Sequence, residues 1–93
     1  MKLEVITPES NVFAGEAVSV SLPGMDGIFQ ILNNHAPIIS TLKAGEMKVE
    51  LAENVTKGSL SSNVVLEGQK TLKISINGGV AELINNKLIV LAE

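Results

Sequence analysis

Alternation with period two runs through this chain of 93 residues and decides what it can become. In "VSVSL", Val18, Val20 and Leu22 fall on one parity, and Ser19 and Ser21 on the other. In "MKVEL", Met47, Val49 and Leu51 oppose Lys48 and Glu50; in "LKISI", Leu72, Ile74 and Ile76 oppose Lys73 and Ser75. Leu3 and Val5 against Lys2 and Glu4 repeat the pattern. Successive side chains of a strand point to opposite faces, so each run reads as a half-buried strand. "KLIVLA", from Lys87, is nearly continuous in apolar residues and reads as a strand covered on both faces. No window of a dozen residues sustains helical spacing.

Turn-forming stretches separate the runs: "TPES" (7–10), "LPGMDG" (22–27), "NNHAP" (33–37), "KAG" (43–45), "ENVTKGSLSSN" (53–63), "EGQK" (67–70), "NGG" (77–79) and "NN" (85–86). Asn85-Asn86 suits a two-residue hairpin, because Asn tolerates positive φ. "NGG" admits two readings, a hairpin turn or a glycine kink in one long strand. A bulge at the kink would move the inward set from Leu72, Ile74 and Ile76 to Ala81 and Leu83, and the change of parity favours this. The fold expected is all-β: an antiparallel, flattened β-sandwich or barrel of about 8–10 short strands, one domain over residues 1–93. Over 53–70 the sequence places no strand.

Composition limits function. There are two aromatic residues, Phe13 and Phe29, so stacking platforms for bases or sugars are missing. Ten acids against seven bases give a net charge of −3, which repels phosphate backbones and anionic lipid. Nucleic acid is therefore not an expected partner. No cysteine is present, which removes disulfides and thiolate metal sites. The N-terminus carries no apolar run of signal-peptide length, and "LIVLA" is far too short to span a bilayer. The expectation is a protein on the cytosolic side with no anchor of its own and no direct membrane insertion.

His35, the one histidine, is the candidate for chemistry. A general base needs an orienting carboxylate and a nucleophile or substrate in reach. Asp26 and Ser40 are near in sequence, but there is no G-x-S-x-G elbow. A zinc site would have to be assembled from carboxylates around a single imidazole. The glycines of "GMDG" and "NGG" lack phosphate-loop spacing and are explained by turns, and "NVT" at Asn54 is a weak glycosylation pattern. No catalytic residue, metal ligand or cofactor is expected. More telling are Ile28, Phe29, Ile31, Leu32, Ile38 and Ile39, large apolar residues packed into a dozen positions. Most belong in a core. Any left outside would form a rigid docking site stiffened by Pro37.

The ordered strings V-I-T-P-E, V-F-x-G-E-A, P-G-x-D-G, H-A-P, L-x-x-G, G-G-V-A-E and V-L-A-E span nearly the whole chain. Together they resemble the N-terminal β-sandwich of the epsilon subunit of F-type ATP synthases. That resemblance implies a non-catalytic, peripheral subunit at the foot of the central stalk, on the cytoplasmic side of the inner (plasma) membrane. It would bind the gamma subunit sideways and the c-ring below, and help transmit rotation. It also implies a ring-facing loop at Asp26, Gly27, Ile28 and Phe29, with Thr7, His35 and Ser40 on the gamma side. Family members often carry an acidic residue where Ile28 stands, and Pro-Gly where Asn33-Asn34 stands. They usually continue into a two-helix hairpin that inhibits ATP hydrolysis, whereas the sequence given ends at Glu93, so hairpin-type inhibition is not expected of it.

Two other classes compete. A small-ligand or carbohydrate-binding sandwich would show exposed aromatics or clustered polar groups, and a small hydrolase would need a pocket around His35. Exposed strand edges and an unfilled partner face favour self-association of the isolated chain.

Overall fold

One parallel contact closes the strands on themselves. In a computed structural model that describes residues 1–53 and 64–93, seven strands follow one another. They are β1 (Lys2–Ile6), β2 (Asn11–Gly24), β3 (Gly27–Leu32), β4 (Ile38–Leu51), β5 (Val64–Glu67), β6 (Thr71–Ile84) and β7 (Lys87–Ala92). Neighbours run β1–β7–β6–β4–β2, and β1 pairs again with β2, so five strands make a ring; β3 extends it from β2, and β5 from β6. All pairings are antiparallel except β1–β7, where Lys2 lies beside Lys87 and Ile6 beside Leu91. The expected all-β sandwich or barrel is present, with its short segments joined. β2, β4 and β6 each run 14 residues, and β4 and β6 serve both layers. "KAG" is therefore no turn but a corner inside β4.

"NGG" is the matching corner in β6. Inward residues change from Leu72, Ile74 and Ile76 to Ala81 and Leu83 on β6, and from Leu51, Val49 and Met47 to Leu42 on β4. No bulge in the β4–β6 ladder produces this change, because the register is constant from Ile38↔Leu83 to Glu50↔Thr71. Both strands coil over together. Gly78 and Gly79 allow it with φ of 125° and 149°, and a Cβ at Gly79 would drive into the Leu91 carbonyl. At the facing corner, a Cβ on Gly45 would come within 2.9 Å of the Pro23 ring.

A bulge does occur in β2. Ala17 faces Leu51 and Ser19 faces Glu50, so Val18 is the extra residue. Hence Val18 points outward and Ser19 is buried, the reverse of the simple alternation. β7 also departs from expectation: Leu88, Val90 and Ala92 are buried, but Leu91 is more than half exposed, so one face only is covered.

The core is aliphatic, from Leu3, Val5, Val20 and Leu22 through Met47, Val49, Leu72 and Ile74 to Leu83, Leu88 and Val90, with Phe13 and Phe29 packed at its margin. Tight turns join the elements: Met25-Asp26 between paired Gly24 and Gly27, and Asn85-Asn86 at φ 51° and 58° between Ile84 and Lys87. Asn54, and the part of 53–70 lying at 54–63, fall outside the described residues; β5 and the turn at 68–70 account for the rest.

Candidate interaction surface

The sandwich has two outer faces of unlike chemistry. The first lies over β2, the C-terminal half of β4, the N-terminal half of β6, and β5. There Ser21, Lys48, Lys73 and Val65 form one cross-strand row, and Glu50, Thr71 and Glu67 another. Lys73 Nζ sits 3.0 Å from Glu67 Oε2 and Lys48 Nζ 4.0 Å from Glu50 Oε1, and Thr71 Oγ1 donates to Glu50 Oε2 at 2.8 Å. The hydrogen bond and opposite charge of Glu67 raise the Lys73 pKa above the usual lysine value; Glu46 adds to this and desolvation opposes it. Val65 is an exposed apolar side chain among these groups.

The second face lies over the N-terminal half of β4, the C-terminal half of β6, β7 and β1. One row reads Thr41, Val80, Leu91, Ile6; the next Ile39, Glu82, Ile89, Glu4; the third Ile84, Lys87, Lys2. Ile39 is 72% exposed, Leu91 55%, Ile84 52% and Val80 41%, while Ile6 and Ile89 are half-buried. Glu4 and Lys87 pair at 3.0 Å within the face. Large aliphatic side chains at outward positions of adjacent strands make a contiguous patch, a feature that marks contact sites.

The structure does not bring the gamma-side residues named from the sequence together. Thr7 follows β1 and shares a tight turn with Ser10, its amide donating to the Ser10 carbonyl at 2.9 Å. His35 lies in the loop before β4, exposed, with its amide donating to the Leu32 carbonyl at 3.1 Å and Nδ1 to the Ala36 carbonyl at 2.7 Å. Neither contact is to a carboxylate or hydroxyl, so among the described residues no such group orients the imidazole as a base. Its loop is stapled to the β6–β7 turn: the Asn34 amide donates to Asn86 Oδ1 at 2.7 Å, and Asn86 Nδ2 to Asn33 Oδ1 at 3.0 Å. Met1 anchors the same group from beneath, its ammonium donating to Asn33 Oδ1 at 2.6 Å. These bonds restore the stiffness that an Asn-Asn pair lacks relative to Pro-Gly.

Ser40, half-buried on β4, does not join Thr7. It lines a cleft of about 460 Å³ with Asp26, Gly27, Ile28 and Phe29, the residues named for the ring-facing loop. Ile28 is 78% exposed at the tip, whereas Phe29 packs against the core and closes on Gly24. Of the six apolar residues of that stretch, Ile31, Phe29 and Ile38 pack inward, and Ile28, Leu32 and Ile39 stay out. Missed from the sequence were Val80, Ile84 and Leu91, although Val80-Glu82-Ile84 shares one parity, opposite to buried Ala81 and Leu83. Among the described residues no group of three His, Cys, Asp or Glu could hold a metal, and no helix is long and apolar enough to cross a membrane.

The family described as "ATP synthase, Delta/Epsilon chain, beta-sandwich domain" matches residues 1–61. The ATP synthase epsilon chain of Chlorobium limicola is 35% identical over 92 residues, covering 99% of this chain and 88% of that one. The epsilon chain of Helicobacter pylori (strain P12) is 36% identical over 93 residues, but this chain spans 63% of its length. A chain of the Tetrahymena thermophila mitochondrial ATP synthase central stalk and c-ring structure shares the fold, with TM-score 0.73 at 16% identity, over 99% of this chain and 62% of that one.

Proposed function

Since the chain belongs to the delta/epsilon β-sandwich family of the ATP synthase, we propose that it serves as a rotor-stalk subunit binding a gamma subunit through the apolar outer face of β4, β6, β7 and β1. Epsilon chains are structural and regulatory subunits, not catalytic ones. In this reading the 93 residues act as one domain, and Thr7, His35 and Ser40 line the rim of the gamma contact. The exposed tip at Asp26, Gly27 and Ile28 meets the c-ring, with Phe29 holding that tip to the core rather than touching the partner.

The observation that carries the proposal is the exposure of Ile39, Val80, Ile84 and Leu91 on one face. Covering such a patch removes apolar surface from water at roughly 25 cal/mol per Å², and the attraction is little screened by salt. The closed ring beneath it resists shear, because bending any strand breaks two ladders. A wedge of that kind passes rotation between shaft and ring without chemistry of its own, on the cytoplasmic side of the membrane as a peripheral part of a membrane-associated complex.

Co-purification with the gamma subunit of the same genome tests it. The complex is expected to persist at moderate salt, and failure of the purified proteins to associate at any salt would overturn the reading.

A further inference from the structure

Strand β3 has one partner among the described residues, β2, and ends the sheet. Its sequence, Gly27-Ile28-Phe29-Gln30-Ile31-Leu32, contains no charge and no proline. Those are the devices by which edge strands are usually protected from pairing with another chain. The direction of its free groups follows from the ladder. The Asn33 amide donates to the Val18 carbonyl, continuing the register in which Ile31 faces Val20 and Phe29 faces Leu22. Backbone groups alternate along an antiparallel strand, so those of residues 27, 29, 31 and 33 face β2 and those of Ile28, Gln30 and Leu32 face away. The Leu32 carbonyl confirms this parity by turning back to accept the His35 amide.

We propose that the free chain forms a two-fold dimer by antiparallel pairing of β3 with β3 of a second copy, centred on Gln30. That register is self-complementary at two levels. Gln30 faces Gln30, and Ile28 faces Leu32 of the other copy on both sides; the Gln30 pair exchanges two backbone bonds, and each Leu32 amide donates to the Ile28 carbonyl of the other copy while the Leu32 carbonyl stays with His35. Side chains of opposed residues lie on the same face, so exposed Ile28 and Leu32 cover one another while the two Gln30 amides meet between them. Charge agrees as well: Asp26 falls opposite Asn34, and no like charges are brought together. A shift of one residue in either direction removes this matching, and a shift of two sets Gln30 against Ile28 or Leu32 instead of a second amide, so the centred register is the best matched. The pairing covers Ile28, so on the reading that this tip meets the c-ring, the dimer and ring docking exclude one another.

The chain has no cysteine, which makes the register directly readable. Opposed residues of a hydrogen-bonded antiparallel pair have Cα atoms about 5.5 Å apart, within disulfide range. Under mild oxidation, Gln30→Cys is expected to form covalent dimers about tenfold faster than Ser75→Cys, an exposed control on β6. Ile28→Cys and Leu32→Cys should cross-link poorly alone and efficiently when mixed with each other. Sedimentation equilibrium of the unmodified chain should show a monomer–dimer equilibrium that Ile28→Lys shifts to monomer and Ile28→Lys with Leu32→Glu restores. A monomer at all concentrations, or equal cross-linking at positions 30 and 75 with both variants melting normally, would overturn the dimer whatever the outcome of gamma binding.

Discussion

The same two strands build both outer faces of this sandwich, and the faces could hardly differ more. On one half of the β4–β6 pair, Lys48, Glu50, Thr71 and Lys73 point outward and engage one another or Glu67; on the other half, Ile39, Val80 and Ile84 point outward beside Thr41 and Glu82. Beneath both, the inward positions are alike: Val49, Met47, Leu72 and Ile74 on one side, Leu42, Ala81 and Leu83 on the other. A half-buried strand needs apolar side chains only on the face it buries. The polar half therefore shows what folding requires, and the apolar half carries surface hydrophobicity that folding does not explain. On the proposed function, a partner covers it.

The severest disturbance should come where the pair crosses from one face to the other. Gly79→Ala places a methyl group against the Leu91 carbonyl and demands a φ of 149° from an L residue. It is expected to cost about 3 kcal/mol or more, lowering the thermal midpoint by at least about 12 °C. A near-native midpoint would mean the corner can be made without glycine. Next, Ile74→Ala, fully buried beneath the polar face, should destabilise by about 2–5 kcal/mol in urea, while Ile39→Ala on the apolar face stays within about 0.5 kcal/mol. Equal losses would mean that Ile39 belongs to the core and the face is no surplus.

The least effect belongs to the ion pairs of the polar face. Glu67 raises the Lys73 pKa above its ordinary 10.5, so the pair's contribution is fully present below that value and is lost as pH rises through the raised one. Glu67→Gln should therefore make only a slight difference at neutral pH, and the difference should vanish in alkali. A large, pH-independent loss would show that Glu67 does something other than pair.

Much of this fold was legible in alternation, because alternation is local. Leu3, Val5, Met47, Val49, Leu72 and Ile74 went inside as their parity required, and Asn85-Asn86 made its turn. What failed depended on a second strand. Val18 and Ser19 exchanged places because β2 inserts one residue against β4, and a bulge is a property of the pair. "KAG" looked like a turn, yet it coils in step with "NGG" across the ladder. "KLIVLA" looked doubly covered, but no described element lies over its Leu91 side. The candidate site divided in the same way. Ile28 and Asp26 stood out from their turn, while Ser40 joined them and not Thr7, since its neighbours across the cleft are set by topology. Val80 and Leu91 escaped notice because each was judged within its own strand, and they become a patch only when β6 and β7 pair.

A calorimetric titration decides whether the apolar face is the gamma contact. With purified gamma subunit, the double substitution Ile39→Asp and Leu91→Asp should weaken binding by at least about a hundredfold, as expected for central apolar anchors, while Lys48→Asp and Lys73→Asp on the other face leave it within about threefold. Undiminished binding by the first variant, or greater loss from the second, with both folded as judged by their melting curves, would contradict the account.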